Sequence, residues 1–195
     1  MTTTARRALF APVAAAALVA GLATPAAATA VATAVATGAA TSDPHRGHGS
    51  PWTPYRTEEV VVPAARSTCG FDTRITPVRD EEEYRTTSTW PDGTPRTQFF
   101  RGALVERYTN LSTGASVVRD LSATAVFAYH PDGSPASLTS VHGAFGTTMP
   151  PGSTPDTGLY VLSGHGTRVV FEADGTRSFT LGRHGRADDV CDAID

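Results

Sequence analysis

The sequence contains no lysine, and all 16 of its basic residues are arginine. A Walker-type phosphate loop, a Schiff-base amine and a Ser-Lys dyad each need a lysine ammonium, so all three are excluded. Asparagine occurs once, at Asn110, and cysteine only at Cys69 and Cys191. The chain holds no G-x-S-x-G, H-E-x-x-H, G-x-G-x-x-G or EF-hand pattern. Hydrolase-elbow, zincin, dinucleotide and calcium-loop chemistry therefore find no support, and no cofactor is expected. Apolar residues are also scarce where a core must form. Residues 1–40 hold 27 of the 78 apolar residues, 18 of them alanine, which leaves 51 for the other 155 positions. A third apolar is low for a globular domain.

The alanine-rich start reads as a leader. Arg6 and Arg7 form a positive n-region, Ala8 to Ala23 an apolar stretch, and Ala26-Ala27-Ala28 a small-residue cleavage site. This is the three-part pattern of a secretory signal peptide, assigned to residues 1–28. The stretch is shorter than the roughly 20 apolar residues a membrane helix needs. Cleavage leaves 14 arginines against 19 acidic residues. A net acidic, lysine-free surface suits neither nucleic acid nor, once the leader is removed, a membrane partner. Residues 29–56 are Ala/Thr/Val-rich, then Pro/Gly/His-rich, without a periodic apolar face, and read as a flexible linker. Residues 57–195 are then a single domain. Two cysteines in an exported chain predict one bridge, Cys69 to Cys191, near the two ends of that domain.

Between the cysteines the pattern is short alternating runs. Phe71, Thr73 and Ile75 alternate with Asp72, Arg74 and Thr76, and Phe179 and Leu181 with Ser178 and Thr180. A period of two predicts strands, over 70–78, 83–90, 95–109, 115–121, 124–130, 136–146, 158–163, 167–173 and 176–183, with an edge strand at Glu58–Val62. Three breaks share one chemistry, at Asp92-Gly93, Asp132-Gly133 and Asp174-Gly175. Asp-Gly suits tight hairpins in which both central residues take positive φ. Short connections favour antiparallel neighbours. The expectation is a mainly β, up-and-down meander of eight or nine strands closed into a barrel, with a β-sandwich as the alternative. Ala187–Ile194 reads as a short C-terminal helix, and residues 147–157, with three prolines, as a surface excursion.

Candidate functional residues are few. With strands drawn as above, the turns at 110–114, 131–134, 164–166 and 184–185 share one end. His130, His165 and His184 then gather on a rim near Arg168 and Arg183, a polar site for a metal or an anion. Glu106 shares a strand face with Phe100, Leu104 and Tyr108. If that face points inward, the carboxyl enters an apolar lumen and its pKa rises. Asp80-Glu81-Glu82-Glu83 reads as a solvated charge run, lacking the glycine turn of calcium loops.

The run Tyr108–Val117, the turn Tyr129-His130-Pro131-Asp132-Gly133-Ser134 and the ending Arg183-His184-Gly185-Arg186-Ala187-Asp188-Asp189-Val190-Cys191 resemble a group of small uncharacterised secreted proteins of Streptomyces-like actinobacteria. The resemblance covers roughly residues 69–194. It implies an extracellular location and a shared fold, and it implies no activity. The sequence favours a non-enzymatic binding or interaction barrel taking a small apolar or amphipathic ligand. The alternative is a small-barrel enzyme, an isomerase, cyclase or metal-dependent hydrolase.

Overall fold

The computed structural model describes residues 50–195; the leader and most of the linker lie outside the described residues. The chain forms β1 (Thr53–Tyr55), β2 (Val60–Val62), β3 (Thr73–Thr89), β4 (Pro95–Asn110), β5 (Ser116–Asp120), β6 (Ala123–Tyr129), β7 (Pro135–Met149), β8 (Gly158–His165), β9 (Arg168–Phe171), β10 (Arg177–Thr180), β11 (Arg183–Asp189) and α1 (Val190–Ile194). All strand pairings are antiparallel. β1 lies within the segment read as linker and pairs with β3 at Thr53–Tyr84.

Several of these strands are halves of longer bent ones. β5 and β6 lie end to end on one side of β4, with Val105 opposite Asp120 and Gly102 opposite Ala123. β8 and β9 do the same along β7, and β11 and β10 along β8 and β9. The bends fall on one row whose inner positions are small residues. Glu82 pairs with Gly102, Gly102 with Ala123, and Ala123 with Gly143. One position further along, Ala144 pairs with Ser163, and Ser163 with Arg186. Neighbouring backbones approach along this crease, and only glycine fits at its tightest points. A Cβ on Gly143 would stand 2.0 Å from the Ser122 carbonyl oxygen, and one on Gly102 would stand 2.3 Å from that of Glu81.

The sheet is not closed, so a complete barrel is not what these strands form. On the far side of the crease, β5 pairs with β4 alone while Ala144–Met149 of β7 pair with β8 alone, and the sheet splits there. It nonetheless curls over its core. Ile75, Leu104 and Tyr108 from β3 and β4 pack with Leu159 and Val161 from β8 and with Val190 and Ile194 from α1. A second cluster, on the other side of the crease, joins Phe100, Phe127, Tyr129, Leu138 and Val169. Cys69 and Cys191 are bridged, with Cα atoms 5.1 Å apart, and both pack on the first cluster.

Four local expectations change. The helix is only Val190–Ile194; Arg183–Asp189 extends the sheet, and Asp189 caps the helix by accepting from the Cys191 N–H at 2.8 Å. Thr147–Met149 belong to β7 and are buried, and the rest of the predicted excursion covers an edge: Thr154 N–H donates to Arg177 O, and Phe179 N–H to Thr154 O. The Asp-Gly turns are not tight two-residue hairpins. In each, only glycine takes positive φ (88°, 82° and 89°), and the aspartate accepts from the N–H and hydroxyl two residues on. That is the longer hairpin loop with a glycine bulge, braced by an Asx turn. Finally, β3 runs unbroken through the charge run, with a register shift between Pro77 and Arg79.

Candidate functional site

That register shift decides where the acids point. Before it, Thr73 and Ile75 face the core; after it, the buried Glu82 and the half-buried Asp80 and Tyr84 do. Extending the alternation of 70–78 without a bulge gives the wrong face, which is why the run looked solvated. Glu81 and Glu83 remain outside and pair with Arg79 and Arg101, both at 2.6 Å.

Glu106 lies where its strand pattern places it. Phe100, Leu104, Glu106 and Tyr108 are all buried on one face of β4, and Glu106 is 2% exposed. It forms no ion pair with a described arginine; its Oε2 accepts from the Tyr108 hydroxyl. Burial raises its pKa, the Tyr108 hydrogen bond opposes that, and the Asp80 charge adds to it. Burial and the Asp80 charge push Glu82 up to about 7, against a 3.3 Å hydrogen bond from the Thr57 hydroxyl. Asp80 accepts from the Thr57 N–H at 2.6 Å and faces Arg56 at 3.7 Å. Tyr55 is raised to about 12 by burial and by these three carboxylates.

A row of aromatic rings leads away from the acids across the sheet. Phe100 meets Tyr55 edge-on at 5.7 Å, stacks on Tyr84 at 5.5 Å and contacts Phe127 at 5.4 Å. Phe127 stacks in turn on Tyr129 at 5.7 Å and on Phe171 at 6.3 Å. The Arg177 guanidinium carbon sits 4.9 Å above the Phe171 ring. Tyr55, Tyr84, Phe171 and Phe179 pack against the core yet stay only half-buried. α1 packs on β4, β5 and β8, so this aromatic half has no helical cover among the described residues. The middle of the row, Phe100 and Phe127, is buried, and the rings that flank it reach solvent, with carboxyls near one end and a guanidinium over the other.

The histidines do not form a rim. Residues 164–167 and 181–182 are bends within long strands, not end turns, because β7 pairs with both β8 and β9. His165 and His184 therefore lie at the crease, where Arg183 is in register with His165 and the His165 Nδ1 contacts Val141 O at 2.9 Å. Residues 121–122 likewise interrupt a continuous strand. That interruption sends His130 to a hairpin turn at the strand ends, away from the crease. Among the described residues, no three His, Cys, Asp or Glu side chains are grouped to hold a metal. Asn110, the single asparagine, is buried, and its Nδ2 donates to Ile194 O at 3.0 Å, tying α1 to the sheet.

Sequence reading missed Asp80, Glu82 and Arg177. Arg177 was legible, since it stands in phase with Phe179 on an alternating strand; the acids were hidden by the bulge. It also missed an open groove of about 380 Å³ on the outer side of the crease, lined by Arg101, Thr124 and His142 among others.

The buried carboxyls make a signed prediction. A carboxyl whose pKa rises on folding stabilises the fold fully below its unfolded value and loses that contribution as pH climbs through the folded value. For Glu82, from 4.5 to about 7, the loss approaches ~3 kcal/mol. Glu106 acts in the same direction. Thermal melts should thus show higher stability at pH 5 than at pH 7.5, and Glu82→Gln should raise the melting temperature at pH 7.5 and flatten the profile. A Glu82→Gln protein less stable than wild type at pH 7.5 would contradict this.

No family model, curated protein or solved structure matches the chain. Among the described residues no helix is long and apolar enough to cross a membrane.

Proposed function

We propose that this is an exported, non-enzymatic module that binds a small apolar or amphipathic ligand on the concave aromatic face of a curled, barrel-like sheet. Export rests on the leader pattern at Arg6–Ala28 and the likeness to secreted actinobacterial proteins, and a disulfide is compatible with it. The observation that carries the binding reading is the set of inward rings, Tyr55, Tyr84, Phe171 and Phe179, that the fold leaves half-buried beside polar groups. Ligand sites are concave and apolar with a few placed polar groups, and grouped half-buried rings beside carboxyls and a guanidinium supply both kinds of surface.

A neutral environment-sensitive dye, N-phenyl-1-naphthylamine, tests this. Saturable fluorescence enhancement is expected, displaced by decan-1-ol. Tyr84→Ala removes one half-buried ring and should weaken binding about tenfold, equivalent to ~1.4 kcal/mol. No saturable signal from folded protein would defeat the reading. A second reading, a small-barrel isomerase or cyclase, draws on the Tyr108–Glu106 pair and on a Glu82 carboxyl near 7, since acid–base catalysis favours groups that titrate near working pH. It requires turnover that Glu106→Gln abolishes without loss of dye binding.

A further inference from the structure

Arg177 is a cation without a counter-ion among the described residues. Its residues of contact are neutral: Nη1 donates to Thr148 O at 2.7 Å, to Thr148 Oγ1 at 2.8 Å and, at 3.4 Å, to Thr147 Oγ1. It forms no ion pair with any described carboxylate. The nearest acidic residues in sequence, Glu172 and Asp174, are exposed in the β9–β10 hairpin turn. All three hydrogen bonds use one nitrogen, so Nε and Nη2 bond to no described residue. Neither of them is a buried orphan atom, so both reach solvent.

The backbone of Arg177 is fixed as well. Its N–H donates to Ser153 Oγ at 3.0 Å, its carbonyl accepts from Thr154 N–H, and β10 pairs it with Phe171. The side chain then lies over the Phe171 ring, the last ring of the aromatic row. A guanidinium anchored through one terminal nitrogen, with its Nε–Nη2 edge free, presents the two parallel N–H groups that a carboxylate accepts bidentately. Its neutral setting leaves its charge uncompensated, and a charge held part-way out of water favours an anionic partner.

We infer that the ligand of the aromatic face is a small amphipathic carboxylate, its tail along the half-buried rings that flank the row, from Phe171 toward Tyr84, and its head on the free edge of Arg177. The inference rests on the binding reading above and adds the chemical class of the ligand. It also gives the two ends of the face different roles. The Glu82 and Glu106 end, where carboxyls would repel an anionic head, takes the neutral part of the ligand.

The test is calorimetric titration of the full mature protein at pH 8 with decanoate and with decan-1-ol, both below the concentration at which they aggregate. Decanoate should bind at least tenfold more tightly. Arg177→Gln should erase that preference while leaving decan-1-ol affinity within about twofold. Equal affinity for the two probes in wild type overturns the inference and leaves the binding reading standing. Binding of neither overturns both. An unchanged decanoate affinity in folded Arg177→Gln also overturns the inference. Should that variant fail to fold, the decanoate preference of the wild-type protein and its decline with added salt decide the matter: a preference insensitive to salt counts against the arginine.

Discussion

Reduction of the Cys69–Cys191 bridge is expected to lower the melting temperature by on the order of 15 °C. The bridge spans 122 positions, and closing so long a loop in the unfolded chain is worth ~5 kcal/mol in the chain-entropy account. The apolar fraction is low, so there is little else to compensate. The local structure points the same way. α1 has five residues, too few to hold its shape alone. It is fixed by the bridge, the Asp189 cap and the Asn110 contact to its last carbonyl. Its Val190 and Ile194 side chains are fully buried against Ile75, Leu104 and Tyr108. Loosening α1 therefore opens that cluster to water. Scanning calorimetry with and without reductant measures the shift. An unchanged melt, with two free thiols confirmed by titration, would contradict it.

Gly143→Ala should cost ~4 kcal/mol or more, in the range reserved for exceptional substitutions. Two effects combine. At φ 84° an alanine is strained by ~1 kcal/mol. Its Cβ would also stand 2.0 Å from Ser122 O and 2.9 Å from the Ala123 Cα. Both atoms are backbone, so neither can swing aside, and relief requires the crease to open. Gly133→Ala separates the two effects. Its φ is 82°, but nothing lies within 4 Å of the added carbon, so it should cost only the ~1 kcal/mol of backbone strain. Chemical denaturation of the pair measures the difference. Similar losses for both would mean that close backbone approach does not hold the crease.

The sequence carried the strand content, the single bridge and the inward face of Glu106, because each rests on local alternation or on cysteine arithmetic. What it hid has one physical source. A bend within a strand and a turn between strands use the same residues, glycine and short polar side chains. Residues 164–166 and 121–122 therefore read as connections, although the chain continues along the same partner strand across both. That misreading placed the histidines on a common rim. The bulge between Pro77 and Arg79 acted similarly, inverting the faces of Asp80 and Glu82. Arg183–Asp189 was read as turn and helix because its acidic end resembles a helix N-terminus; register with β8 makes it a strand.

The central claim is that the half-buried rings of the aromatic face receive a ligand. Aromatic proton–carbon NMR spectra recorded during titration with decan-1-ol address it most directly. The expected result is saturable shifts centred on Tyr55, Tyr84, Phe171 and Phe179, with Trp90 unmoved. Shifts absent at saturating probe, or centred instead on the outer groove around Arg101 and His142, would contradict it.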